Sequence, residues 1–297
     1  MIVVTAPTAK IGSQVLARLV ESGEPVRVVA RDPAKLAPGI RERVEVVQGS
    51  HSEADVVNEA FAGADAVFWL VPADRWAPSI DAAYTGFARA GIEAFAKHGV
   101  RHVVGISALG RGTLIAGHAG NVTATLAMDD SIAASGVHYR ALASASFMDN
   151  TLRDLPSIKT RGHFATPIEV DRRLPTVATR DIAAVAAGLL RNREWSGVRE
   201  IALLGPEDLS PTEMAAIISE ELGIRVGCRQ ISGQELKAGL TGLMSEPIAQ
   251  AVVDMALAKN AGLDSGAART AQHGTPTTFR AWCREVLKPA YEADTGS

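Results

Sequence analysis

The chain opens IVVTAPTAKIG and continues, one helix length later, with VRVVARDPAKL. An apolar run, Ile2 to Thr5, enters a short turn. A helix is expected from Ile11 to Glu21, apolar at Ile11, Val15, Leu16, Leu19 and Val20, and a second apolar run, Val26 to Ala30, ends on Arg31. Strand, turn, helix and strand in this order predict the first βαβ unit of a dinucleotide-binding sheet. There a phosphate rests at a helix N-terminus and the end of the second strand meets the adenosine ribose. The glycine-rich turn is altered: Ala6 and Ala9 replace loop glycines in Ala6-Pro7-Thr8-Ala9-Lys10, and Gly12 keeps the helix-packing position. Ala9 adds a methyl where backbone approaches a pyrophosphate and restricts positive φ, at a cost of about 1 kcal/mol. Thr8 and Lys10 offset this with a hydroxyl donor and a positive charge, while Pro7 removes an amide but stiffens the turn.

A chain of 297 residues holds one large domain, or one and a half, with a substantial core. Hydrophobic content of 47% and charged content of 21% are ordinary for a globular protein. A net charge of −3 makes no electrostatic case for nucleic acid or an anionic membrane. No apolar run reaches spanning length and the first residues read as a core strand instead of a signal peptide, so a cytoplasmic protein is expected. Cys228 and Cys283 are the only cysteines and lack metal-ligand spacing, so reduced thiols and no metal are expected.

Further along, strands are expected at Val44–Ser50, Ala66–Pro72, His102–Ser107 and His138–Ala143. Helices are expected at about Glu53–Phe61, Ile80–His98 (ended by Gly99) and Leu126–Ala134. Alternation of this kind predicts an α/β fold with a doubly wound parallel sheet over residues 1–150. Residues 151–297 read as a smaller, mostly helical substrate region with some segments returning to the sheet. Asp181 is expected to N-cap IAAVAAGLL, EIALLG and VGCRQIS to be strands, and Ser210, Pro211 and Glu213 to start a helix that Gly223 ends. Two more helices are expected, one over Pro247–Ala258 and one in TPTTFRAWCREVL.

The motifs VRVVARDPAK, GADAVFWLVP, RHVVGISALG, SGVHYRALASASFMDN, ATRDIAAVAAGLL and GPEDLSPTEMAAIISEELG follow one another in an order and spacing that resemble the NmrA-like family of atypical short-chain dehydrogenases/reductases. The resemblance spans nearly the whole chain and implies a Rossmann domain, a small C-terminal substrate domain and, usually, NADP(H). By position it implies that Thr5, Pro7, Thr8, Lys10, Ile11 and Gly12 form the pyrophosphate loop. It also implies that Arg31, assisted by Lys35, meets the adenosine 2′-phosphate, which a guanidinium fits bidentately. The acidic residue that family members carry near the adenine is replaced by Ser50, in Gly49-Ser50-His51. Leu70, Val71 and Pro72 are implied to line the nicotinamide ribose.

The Tyr-x-x-x-Lys pair that short-chain dehydrogenases use for proton transfer is missing: Tyr84, Tyr139 and Tyr291 are followed four positions later by Ala88, Ala143 and Thr295. The lysine that many NmrA-like enzymes place before the SG turn is missing too; that stretch reads NVTATLAMDD. Hydride transfer to a quinone or activated alkene needs orientation more than a dedicated acid. The candidate catalytic residues are Ser107, as a hydrogen-bond donor to a substrate oxygen, and His118, for proton transfer. Asp149 is either a helix N-cap or a cleft residue. Trp76, Phe147, Met148 and Asn150 are candidates for an aromatic-tolerant substrate pocket. Three readings stay open at this point. The first is an NADP(H)-dependent reductase of a small hydrophobic or aromatic, quinone-like substrate. The others are a non-catalytic NADP(H)-sensing regulator and a natural-product tailoring enzyme of coupling or isomerisation. Either a monomer or a homodimer is compatible.

Overall fold

The computed structural model describes residues 1–267, 269 and 274–293. Seven strands form the main sheet: β1 (Ile2–Thr5), β2 (Val26–Ala30), β3 (Glu45–Gln48), β4 (Ala66–Trp69), β5 (His102–Ala108), β6 (His138–Ser144) and β7 (Val198–Leu203). Their order is β7-β6-β5-β4-β1-β2-β3. The β1, β2, β3, β4 and β5 pairings are parallel, with Val4 opposite both Val28 and Phe68. Strands β1 and β4 are buried along their whole length, as parallel strands covered on both faces must be. Helix α1 (Lys10–Glu21) buries all five of the apolar positions its periodicity marks. Because the chain leaves β1 for β2 on one side and later places β4 on the other, a crevice opens at the carboxyl ends of β1 and β4.

Two compact units divide the chain, and they interleave where the sequence suggests one boundary at residue 150. The first comprises Met1–Ala108, Ala124–Ala143 and Ile182–Ile201; the second comprises Leu109–Thr123, Ser144–Asp181 and the chain from Ala202 onward. The first unit's core joins Val3, Val67, Trp69, Phe95, Val103, Ile132 and Tyr139. The second packs Met148, Ile158, Phe164, Ile218, Phe279 and Trp282 together. It holds two small sheets. Ser146–Phe147 pairs with Leu174–Val177, which pairs with Asp208–Leu209; separately, His163–Thr166 pairs with Gly227–Gln230. Strands of two to four residues present too few positions for an alternation to show, so the mostly helical expectation missed all but the last.

Several local expectations are corrected. The helix expected from Leu126 begins at Asn121, since Val122, Ala124 and Thr125 are buried and packing overrides the weak helix propensity of NVTAT. Asp181 does not cap its helix. That helix (Thr179–Arg191) starts earlier, and Asp149 Oδ2 accepts the Thr179 amide from a distance, at 3.1 Å. Asp181 instead accepts the amide and hydroxyl of Thr277 at 3.0 and 2.9 Å. The helix Pro211–Leu222 does start at Ser210, Pro211 and Glu213, with Ser210 and Glu213 closing a capping box, and Gly223 ends it in the left-handed conformation. Both cysteines are free, and burial pushes the Cys283 thiol up to about 12, which leaves it inert.

Candidate functional site

A cavity of about 530 Å³ lies in the crevice of the first unit. Four consecutive strand ends line it: Ala6 to Ala9 after β1, Arg31, Asp32 and Lys35 after β2, Gly49 and His51 after β3, and Pro72 after β4. The loop after β1 closes on itself through the Ala9 amide, which donates to the Ala6 carbonyl at 3.0 Å. Helix α1 then starts with no side chain capping it, so its first-turn amides keep their partial positive charge available to an anion. Gly12 sits directly against the loop; a Cβ there would stand 2.1 Å from the Ala6 oxygen.

The strain predicted for Ala9 falls instead on Ala6, three residues earlier in the same loop. Ala9 has φ −72° and ψ 155°, an extended conformation open to any residue. Ala6 has φ +48°, the left-handed region that costs a residue with a Cβ about 1 kcal/mol or more. Ala6→Gly is therefore expected to stabilise the protein by about 1 kcal/mol, a rise of about 2 °C in Tm by calorimetry. An unchanged or lower Tm would mean that the loop carries no strain there.

Of the residues implied for the cofactor, Pro7, Thr8, Arg31, Lys35 and Pro72 line the cavity. Arg31 and Lys35 are exposed at its lip, and Lys35 Nζ stands 3.7 Å from Asp32 Oδ2. The Thr5 hydroxyl is not available to a phosphate: it donates to the Phe68 carbonyl at 2.9 Å and accepts the Leu70 amide at 3.0 Å, tying β1 to β4. Ile11 is core, and Lys10 is exposed outside the lining. Ser50 turns to Ser52, with 2.8 Å between their hydroxyls, and Val71 packs on the core cluster.

His51 also lines the cavity, and the sequence reading gave it no role. It is 4% exposed, held edge-on against Trp69 and Phe87, and 3.0 Å from the Leu70 carbonyl through Nε2. A carbonyl only accepts, so Nε2 carries the proton and Nδ1 is the acceptor. Burial, with Arg31 adding to it, lowers its pKa to about 4 and keeps the ring neutral at pH 7. An apolar aromatic setting that includes Trp69 and Phe87, both distant in sequence, is what the local GSH tripeptide does not display.

The two catalytic candidates are placed differently. Ser107 is 5% exposed and donates its hydroxyl to Asp129, which also accepts from the Tyr139 hydroxyl at 2.5 Å. With its proton committed to a buried carboxylate, Ser107 is not a free donor. His118 ends a 3-10 turn (Ala116–His118) in the second unit and is exposed. Among the described residues no cluster suits a metal ion, and no helix is long and apolar enough to cross a membrane.

A second cavity, of about 320 Å³, belongs wholly to the second unit. Of the four residues proposed for a substrate pocket, Phe147 and Asn150 line this cavity and two do not. Met148 is 1% exposed within the core, and Trp76 is 61% exposed on the first unit. Phe147 ends a strand in extended backbone and Met148 begins the 3-10 segment Met148–Asp154, and the change of conformation between them is how the two part company.

Parallel strand ends, an uncapped helix start and a cationic lip define a dinucleotide-binding Rossmann protein. The comparisons agree: a family described as NAD(P)H-binding matches residues 8–193. A (4-alkanoyl-5-oxo-2,5-dihydrofuran-3-yl)methyl phosphate reductase of Streptomyces griseus is 31% identical over 294 residues, 96% of this chain and 97% of its own. An NAD(P)H azoreductase of Xenophilus azovorans is 27% identical over 256 residues, 86% of each chain. The crystal structure of an NADPH-dependent quinone oxidoreductase from Escherichia coli, complexed with NADPH, superposes with a TM-score of 0.78 at 20% identity, covering 97% of this chain and 100% of its own. The chain belongs to the NAD(P)H-binding family, as an NAD(P)-dependent oxidoreductase.

Proposed function

We propose that this chain is an NADP(H)-dependent reductase of a small hydrophobic or aromatic substrate bearing a carbonyl, such as a quinone or an unsaturated lactone. The observation that carries the cofactor choice is Arg31, exposed at the cavity's lip where β2 ends, with Lys35 beside it. A guanidinium there favours the 2′-phosphate that distinguishes NADP(H) from NAD(H). The cavity's residues fit the group: the start of α1 and Thr8 would hold the pyrophosphate and Arg31 and Lys35 the 2′-phosphate, with His51 also in the lining. When bound, the cofactor supplies a hydride. The protein's own contribution is to bind, to orient and to exclude water.

The relative from Streptomyces supports a carbonyl-conjugated substrate and a place in secondary metabolism. It also favours the reductase reading over the sensing regulator and over coupling or isomerisation, neither of which has a feature of its own here. Incubating the protein with NADPH and a panel of quinones and unsaturated lactones tests the reading. Cofactor oxidation above the protein-free rate with at least one member is expected, and slower oxidation of NADH. No oxidation with any member would remove the reductase reading.

A further inference from the structure

The first unit's cavity presents a hydrogen-bond acceptor that the fold leaves without a donor. Packing fixes the His51 ring: Trp69 and Phe87 stand edge-on to it, with ring centres 5.1 and 4.8 Å away, and Nε2 donates to the Leu70 carbonyl at 3.0 Å. That donation places the proton on Nε2 and leaves Nδ1 with a lone pair. The residue is 4% exposed, and among the described residues Nδ1 has no hydrogen-bond partner. Nδ1 is nevertheless not sealed in: it keeps accessible surface, and the open space that His51 borders is the cavity. An acceptor held rigidly at the edge of a ligand cavity selects for a donor on the ligand.

We propose that His51 Nδ1 accepts a hydrogen bond from the exocyclic amine of the cofactor's adenine, and so selects adenine over an oxo-purine base. The inference rests on the dinucleotide reading of this cavity and gives His51 its part in it. Adenine hangs from ribose C1′, beside the C2′ that carries the phosphate, so a phosphate paired with Arg31 brings the base to the same end of the cavity. Arg31 lines that end with His51 and is near enough for its charge to act on the ring. Phosphate oxygens only accept, so they cannot satisfy Nδ1, whereas the amine donates. Other side-chain acceptors nearby are turned elsewhere. Asp32 accepts the Ala34 amide at 3.1 Å through Oδ1 and holds Oδ2 3.7 Å from Lys35 Nζ, and the Ser50 hydroxyl pairs with that of Ser52 at 2.8 Å. Burial keeps the imidazole neutral at pH 7, so the lone pair is available there. Hypoxanthine carries an oxygen in place of the amine and would set two acceptors against each other.

The test compares NADPH with its hypoxanthine analogue, deamino-NADPH, by calorimetric titration at pH 7, a measurement of binding without turnover. NADPH is expected to bind about tenfold more tightly, the worth of one hydrogen bond gained and one acceptor clash avoided. His51→Phe keeps the ring packing and is expected to bind the two within about twofold, through weaker binding of NADPH. If that variant does not fold, a nitrogen-15 NMR titration of the unaltered protein serves in its place: NADPH should move the His51 Nδ1 resonance upfield, as accepting a hydrogen bond does, and deamino-NADPH should not. Equal binding of both dinucleotides by the parent protein would overturn the proposal, and an Nδ1 shift with both would assign the donor to a ribose hydroxyl instead. Discrimination that survives in His51→Phe would overturn it as well. Binding of neither dinucleotide would remove the nucleotide reading itself, and the role of His51 with it.

Discussion

Replacing Arg31 with alanine is expected to weaken NADPH binding by roughly 10- to 30-fold and to leave NADH within about twofold. The two cofactors differ by one phosphate, and a charge-assisted bond to it contributes about 1.5–2 kcal/mol at an exposed lip, where water screens part of the attraction. Lys35→Ala is expected to cost less, because its ammonium already shares Asp32. Arg31→Lys should retain a fraction of the preference, a point charge replacing a fork. Calorimetric titration with both cofactors reads all three variants. Equal losses for NADPH and NADH in Arg31→Ala would show that Arg31 supports the loop and does not read the phosphate.

The second large effect concerns acid stability. His51 is buried and neutral, with its pKa lowered from 6.5 to about 4. The unfolded chain therefore takes up a proton near pH 6.5 while the folded chain refuses it until near pH 4. Stability from this residue is complete above pH 6.5 and is lost as pH falls through that window, by about 3 kcal/mol in all. Asp154 works in the opposite direction, since a carboxyl raised to about 6 favours the folded state as pH falls. The expected result is thus a difference between proteins: His51→Phe should lose markedly less stability than the parent between pH 7 and pH 4.5, whatever its absolute Tm. Phenylalanine keeps the packing on Trp69 and Phe87 and gives up the bond to Leu70. Parallel pH curves for the two proteins would mean that His51 titrates as an exposed imidazole.

The binding crevice was legible because its parts are local. A strand, an uncapped helix start and an arginine at the next strand's end occupy one stretch of chain, and their roles depend on a short-range geometry that the stretch itself dictates. Even the altered turn was visible, although which alanine bears the strain was not: φ at Ala6 depends on the Gly12 approach, a contact between the loop and the helix it starts. His51 escaped notice for a different reason. Its neutrality and its place in the cavity come from β3 lying beside β2 and from rings on β4 and on the helix Phe87–His98.

Ser107 shows the same limit from the other side. At a strand end it reads as a free hydroxyl, and only the packing of α-helical Asp129 against β5 reveals where its proton goes. Phe147 and Met148, one residue apart, could not be sorted into wall and core without the 3-10 turn that follows. What the order of residues determined alone was the alternation of buried strands and one-sided helices, hence the parallel sheet, the crevice at its switch point and the cationic lip. What the tertiary structure decided was where the Ser107 proton goes and that His51 stands buried against Trp69 and Phe87, because a side chain's partners across the fold are set by packing and not by its neighbours in the chain.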